Sequence, residues 1–321
     1  MSTTKTDKFL KNLAQLKGNH QIPLAKKNAN QPKSQHWVPQ FILREFGTRH
    51  LRDKGKFELW MCHKEKIPNG QGRISTESVC AKRFLYSPNF ENGGRYFELE
   101  QTFSIIEAAA DRTWDVLTSG LEDQRSEIDR RNLADFLALL HLRNLNLYQL
   151  YDKSIELRIK LFGTKHVPGG EREFNFDHPE AVFISGILDG YPRIAAYFLE
   201  RSWILLEAIN GDEFETSDRP IFFWHDKDGL TGPKSKDATV FMPISAKLML
   251  CMQKVDISRQ FNVVQVDSQF VQAINQLTRT NALQFILSRR PFLDSVETPA
   301  PENPDTQDLK TKPSNSKTPP I

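Results

Sequence analysis

The apolar pattern of the chain points to an α+β fold built as one composite domain. Helical spacing fills most of the first half. Short apolar runs with turn chemistry between them fill the second, and both ends are too polar to join a core. Segregated helices and strands argue against a doubly wound α/β sheet.

Residues 1–33 read as a basic appendage and linker. Asp7 is placed to cap a short amphipathic helix with Phe9, Leu10, Leu13 and Leu16 on one side. The polar stretch after it is punctuated by Pro23 and Pro32. A single globular domain is expected over 34–290. It opens at His36–Phe46, where Pro39 suits the first turn of a helix. Phe57, Leu59 and Met61 alternate as in a half-buried strand, and Asn69–Arg73 is turn-like enough to close a small hairpin. Phe103, Ile106, Ala110 and Leu117 are spaced for a helix over 99–119, with Gly120 as a stop signal. A longer helix is expected over 128–162, where Leu133, Phe136, Leu137, Leu140, Leu147, Leu150 and Ile155 hold one stripe. Residues 179–200 give one or two short helices broken near Gly190 and Pro192. The first half is thus expected to be mainly helical, with the small hairpin as its exception.

The period then changes. The apolar runs at 202–209, 220–225, 238–244 and 247–253 follow at short intervals, the pattern of an antiparallel meander, and 261–266 adds an extended segment. Asp267 caps the first of two closing helices. Phe270, Val271, Ile274 and Leu277 mark the first, and Leu283, Phe285, Ile286 and Leu287 the second. From Pro291 to Ile321 there are seven prolines and few large apolar residues. That composition buries too little surface to offset the entropy of ordering, so 291–321 reads as a disordered tail.

Charge is unevenly spread. Residues 1–56 hold twelve Lys/Arg against three Asp/Glu, a surplus of nine; with a whole-chain net charge of +3, the remainder carries −6. A basic front end on a mildly acidic body suggests a polyanionic partner, and nucleic acid bound through the N-terminal segment is the expected one. No apolar stretch approaches ~18 residues, so no membrane span is expected. The N-terminal twenty residues lack the apolar core of a secretory signal. Three cysteines with no close pair fit a reducing, cytoplasmic setting.

The chain has no GxxxxGK(S/T) loop, no GxGxxG, no HExxH and no CxxC, and the adjacent Cys62–His63 is a weak metal signal without a matching pair. Four local features remain. His36 sits just before a helix N-terminus, where the dipole favours a neutral imidazole usable as a base or metal ligand; otherwise it caps the helix or packs on Trp37. Glu98, Glu100 and Glu107 surround the start of the 99–119 helix, where they complement its dipole or point one carboxylate inward. Arg143, in the run His141-Leu142-Arg143, falls close to the apolar stripe of the long helix. A buried Arg needs an anion, supplied either by Glu100 or Glu107 or by a substrate phosphate or carboxylate. Glu215-Thr216-Ser217-Asp218-Arg219-Pro220 is turn chemistry between apolar runs, a place where site residues are also mounted.

The blocks HWVPQFILREF, CAKRFLYSPNF, ELEQTFSIIE, HLRN, FETSDRP, FMPIS and LTRTNALQFILS occur in this order over about residues 34–290. In that order and character the chain resembles the uncharacterised domain of unknown function 4238 family. The family pattern of an opening His-x-x-Pro, a middle Glu, an Arg ending the long helix and a late Ser-Asp-x-Pro corresponds here to His36, Pro39, Glu100 or Glu107, Arg143, Ser217, Asp218 and Pro220. Asn144 departs from it, since a small or hydroxylated residue more often follows the Arg. The resemblance adds weight to His36, Glu107, Arg143 and Asp218 as a converging set. It implies no established activity.

Two functions follow. In the first, the chain is a metal-assisted hydrolase: His36, Glu107 and Asp218 hold a divalent metal or act as acid–base groups, and Arg143 grips an anionic group. A nuclease in a toxin or phage-defence setting is its most concrete form. In the second, the chain is a non-catalytic binding or regulatory protein, and the same polar cluster fixes how the helical half docks on the sheets.

Overall fold

The computed structural model describes residues 33–53, 55–87, 98–119, 129–147, 179–225, 232–235, 237–254 and 261–292, with single positions between 149 and 160. The helix expected from Asp7, the tail beyond 292, and Leu150 and Ile155 of the expected stripe lie outside these residues. The elements run β1 (Ser34–His36), α1 (Gln40–Glu45), β2 (Thr48–Arg49), β3 (Phe57–His63), a 3₁₀ turn (Lys64–Lys66), β4 (Gly72–Ser75), β5 (Ala81–Arg83), α2 (Glu98–Thr118), α3 (Arg130–Leu142), α4 (Pro179–Leu199), β6 (Ser202–Ala208), β7 (Thr216–Ser217), β8 (Phe222–Trp224), β9 (Thr239–Pro243), β10 (Leu248–Gln253), β11 (Asn262–Val266), α5 (Ser268–Asn281) and β12 (Phe285–Ser288).

Three sheets hold the strands. β1 pairs with β5; the strands of the second sheet lie in the order β11-β6-β10-β9-β8; those of the third lie in the order β2-β3-β12-β7, with β4 on β3. The second sheet is antiparallel from β6 to β8, as a meander requires, but β11 runs parallel to β6.

The expectation of a mainly helical first half is overturned: strands β1 to β5 precede the first long helix among the described residues. The reason is length. β1, β2 and β5 span two or three residues each, too few to display a two-residue period, and they exist because partners hold them. Ser34 faces Arg83 across β1–β5, and Thr48 faces Glu58 across β2–β3. The second closing helix is also overturned. Phe285–Ser288 is a strand inserted between β3 and β7, with Ile286 opposite Cys62 on one side and Ser217 on the other. A run of three apolar residues fits either period, and the two flanking strands decide it.

Two helical boundaries also differ. α4 runs unbroken through Gly190 and Pro192. Gly190 is where α4 meets α3, since a Cβ there would stand 3.1 Å from Cδ1 of Leu142. α3 ends at Leu142, with Arg143 as its C-cap. Asn144 donates to the His141 carbonyl and accepts from the Leu147 backbone N–H, so it closes one turn and opens the next.

Asp129 caps α3 by accepting from the N–H groups of Arg131 and Asn132. Leu133, Ala134 and Phe136 through Leu140 are all buried. The turn Phe136–Leu140 is apolar on every side and belongs in the middle of a core, and it lies there between α2 and α4. Phe41 of α1, Trp114 of α2 and Phe136 of α3 meet with ring centroids 5.4–5.8 Å apart.

Two residues past the expected boundary at 290, Phe292 makes core contacts. Phe292 is 4% exposed and packs with Cys62, Ala282 and Ile286. The side chain of Gln71 accepts from its N–H at 2.8 Å and donates to its carbonyl at 3.0 Å. Phe292→Ala is expected to cost about 3 kcal/mol, the cost of emptying a packed aromatic site. Truncation after Leu293 is expected to leave the urea midpoint unchanged. Equilibrium unfolding of the two proteins checks both.

Candidate functional site

Because Phe136–Leu140 of α3 are all buried, the first charged side chain after the helix starts from inside the core. That side chain is Arg143, which is 1% exposed. Its Nη1 donates to Oε1 of Glu107 on α2, forming an ion pair. Its guanidinium lies over Phe103, with Cζ 5.7 Å from the ring centroid. Its backbone carbonyl accepts the hydroxyl of Tyr86 at 2.8 Å, and the Tyr86 ring meets Phe103 edge-on at 5.1 Å. Nε and Nη2 of Arg143 are buried and have no hydrogen-bond partner among the described residues. These two atoms form one side edge of the guanidinium, the fork that takes a carboxylate or phosphate through two parallel bonds.

Two turns of α2 separate Glu100 from Glu107, so both carboxylates reach the same region. Burial pushes Glu100 up to about 7; the neighbouring Glu107 charge adds to the rise, and Arg143 opposes it. Glu107 keeps 29% of its side chain exposed, so the centre has a wet rim. His36 sits at the end of β1, with Nε2 3.2 Å from the Thr76 carbonyl. A carbonyl only accepts, so Nε2 carries the proton and Nδ1 keeps its lone pair. Burial is the main force holding His36 below its ordinary pKa; Glu107 pulls it up and Arg143 pushes it down. Burial thus favours the neutral imidazole. Glu107 is thus paired with Arg143, and His36 and Glu100 both feel these two charges.

Asp218 is engaged differently. Oδ1 accepts from the N–H of Leu283 at 2.9 Å, and Oδ2 accepts from those of Gln284 and Phe285 at 2.9 and 3.2 Å. Its own N–H donates to the Phe285 carbonyl, and its carbonyl accepts from the Trp37 indole. The carboxylate thus organises the turn between α5 and β12. Burial pushes its pKa up, against the pull of the three N–H groups. Glu215, three residues earlier, is gripped by Nε and Nη2 of Arg279 on α5. The side chain of Asn275 bridges the Glu215 N–H and the Glu213 carbonyl. The Ser-Asp-x-Pro segment is therefore fastened to the last helix and last strand. His141, two residues before Arg143, packs edge-on against Phe223 at 5.2 Å and is pushed down to about 4 by burial and by Arg219.

Among the described residues, no group of three or more His, Cys, Asp or Glu side chains is arranged to hold a metal ion, and that includes the expected set His36, Glu107 and Asp218. Tyr86 and Phe103 were not among the candidate residues. They reach the centre through a hydroxyl on a backbone carbonyl and a ring face under a guanidinium, contacts that leave no spacing signal.

Replacing Asp218 with Ala strips three inward backbone N–H groups of their acceptor and is expected to cost about 3 kcal/mol, read from urea unfolding. Glu100 gives a pH signature. Its folded pKa of about 7 lies above the ordinary 4.5, so the folded state holds an extra proton between these values. Stability from this group therefore falls as pH rises through that window and stays low above it. Glu100→Gln is expected to stabilise the protein by up to about 3 kcal/mol at pH 8 and to leave it unchanged at pH 4. Unfolding midpoints across pH 4–8 check the sign.

No curated protein and no solved structure matches the chain. The family model described as "Protein of unknown function (DUF4238)" matches residues 34–291. That span begins at β1, ends after β12, and contains every residue of the centre around Arg143. The chain belongs to the DUF4238 family.

Proposed function

We propose that the domain is a hydrolase acting on an anionic substrate, with the centre around Arg143 as its site and nucleic-acid cleavage as its most concrete form. The observation that carries this reading is the buried, unpartnered Nε–Nη2 edge of Arg143. Buried guanidinium groups are ordinarily satisfied on all sides, and an edge left without an acceptor is an oxyanion-binding surface. Beside it, Glu100 exchanges a proton near neutral pH, as a general acid or base must. His36 offers a neutral Nδ1 as a second proton acceptor. In this reading Arg143 grips the anionic group, Glu100 or His36 activates water, Glu107 orients the guanidinium, and Asp218 is a positioning residue that holds the α5–β12 turn.

A second reading is favoured by the depth of Arg143 itself. A guanidinium 1% exposed, paired and stacked, also suits a structural clasp in a binding or regulatory protein.

Stability and activity separate the two. A panel of nucleic-acid, phosphoester and carboxyester substrates is assayed between pH 5 and 9 with wild type, Glu100→Gln and Arg143→Lys. The hydrolase reading expects a neutral-pH limb that disappears in Glu100→Gln with a loss of rate of about 10²- to 10³-fold, the order for a general acid–base group. It also expects a comparable loss in Arg143→Lys, which keeps the charge but not the fork. The clasp reading expects no turnover by wild type on any of these substrates and a loss of about 3–5 kcal/mol in Arg143→Ala.

A further inference from the structure

We propose that the turn joining β2 to β3 is a docking surface for the phosphate backbone of nucleic acid, formed by Arg49, Leu51 and Arg52. Leu51 is 92% exposed. It stands at the tip of a turn that is tied together from within. His50 donates its backbone N–H to the Lys56 carbonyl at 2.8 Å, and Nδ1 of its ring accepts from the N–H groups of Arg52 and Asp53 at 3.3 and 3.1 Å. Asp53 accepts from the Gly55 N–H at 3.3 Å and pairs with Lys56 at 3.1 Å. A turn with this much internal bonding holds its apolar tip out by construction.

The charge around the tip is positive. Residues 44–56 carry Arg44, Arg49, Arg52, Lys54 and Lys56 against Glu45 and Asp53. Arg49 from β2 and Arg44 from α1 both lie over the ring of Phe57, with Cζ 5.8 and 5.9 Å from its centroid. Two of the nearby acids are already taken: Glu58 is bound by Arg73 at 3.3 Å and by His50 at 3.5 Å, and Asp53 by Lys56. Among the described residues, Arg49 and Arg52 have no carboxylate partner. Two unneutralised guanidinium groups flanking one projecting leucine match a nucleic-acid backbone. The guanidinium groups take phosphates, and the leucine takes a sugar edge or a base step. A membrane surface fits less well, because one leucine buries too little to hold a protein at a bilayer.

The surface is independent of the hydrolase reading, since none of its residues lies in the centre around Arg143. The test uses the full chain and fluorescent duplex and single-stranded oligonucleotides of about 30 nucleotides, with affinity measured from low to moderate salt. Log affinity should fall linearly with log salt, and Arg49→Ser with Arg52→Ser should reduce that slope by about two, one for each phosphate no longer neutralised. Leu51→Ser should weaken binding about tenfold with the slope unchanged, as removal of an apolar group does. All three sites are on the surface, and unchanged unfolding midpoints show that the variants remain folded. The proposal is overturned if neither oligonucleotide binds, or if the arginine variants bind with the wild-type slope, which would place binding elsewhere on the chain. It is also overturned if the variants lose binding to phosphatidylserine vesicles or to an acidic peptide instead of to the oligonucleotides.

Discussion

A guanidinium ion keeps its charge at any ordinary pH, so placing Arg143 where water barely reaches obliges the surrounding chain to supply what water would. For the guanidinium the supply comes from α2, and two further stretches hold the backbone that carries it. α2 contributes Glu107 as counter-ion and Phe103 as a π-face, and Tyr86 ties the Arg143 backbone to the segment that follows β5. Asn144 turns the chain immediately afterwards. The end of α3 and the register of α2 are therefore set by one charged group, and the segment after β5 is tied to the same residue through its backbone. Moving α2 away leaves a charge in the core at a cost of about 3–5 kcal/mol.

Two polar assemblies of the domain contrast in completeness. Around Asp218 both carboxylate oxygens are engaged, and Glu215 is held by two nitrogens of Arg279. The two carboxylates are saturated, as a structural network needs, although Thr216 Oγ1 and Arg219 Nε beside them have no hydrogen-bond partner among the described residues. Around Arg143 the set is unfinished. One nitrogen is paired and two are not, and a nearby carboxyl is pushed up to about 7 by burial and by the second carboxylate beside it. Like charges and unpaired donors held together cost stability. Folds retain such costs at places where a ligand or a proton completes the set.

The long periodic elements were legible in the sequence. The stripe through Leu133, Phe136, Leu137 and Leu140 gave α3, the spacing of Phe103, Ile106 and Ala110 gave α2, and Asp267 gave the cap of α5. That Arg143 would need an anion also followed from its place beside an apolar stripe, though the sequence left a carboxylate of α2 and a substrate group as alternatives. What could not be read has a common cause. β1, β5 and β12 are short and owe their conformation to partners distant in sequence. Gly190 and Pro192, ordinarily helix breakers, are tolerated in α4, where Gly190 admits Leu142 of α3. Asp218 looked available for chemistry because its partners are backbone N–H groups, which carry no signature in side-chain identity.

The position of β12 has a consequence for the order in which the molecule can be assembled. β3 is among the first strands in the chain, yet its neighbour on one side is the last strand, and that strand also carries β7. As the chain leaves the ribosome, β3 with its own hairpin partner β4 offers an unsatisfied edge for more than two hundred residues before Phe285–Ser288 emerges to fill it. The third sheet is thus a clasp closed by the end of the chain. Its closure requires a loop nearly as long as the domain, the kind of pairing whose entropy cost makes folding slow. A nascent chain halted before Phe285 carries an open β3 edge, and such a chain is a natural client for chaperones and a poor candidate for independent folding.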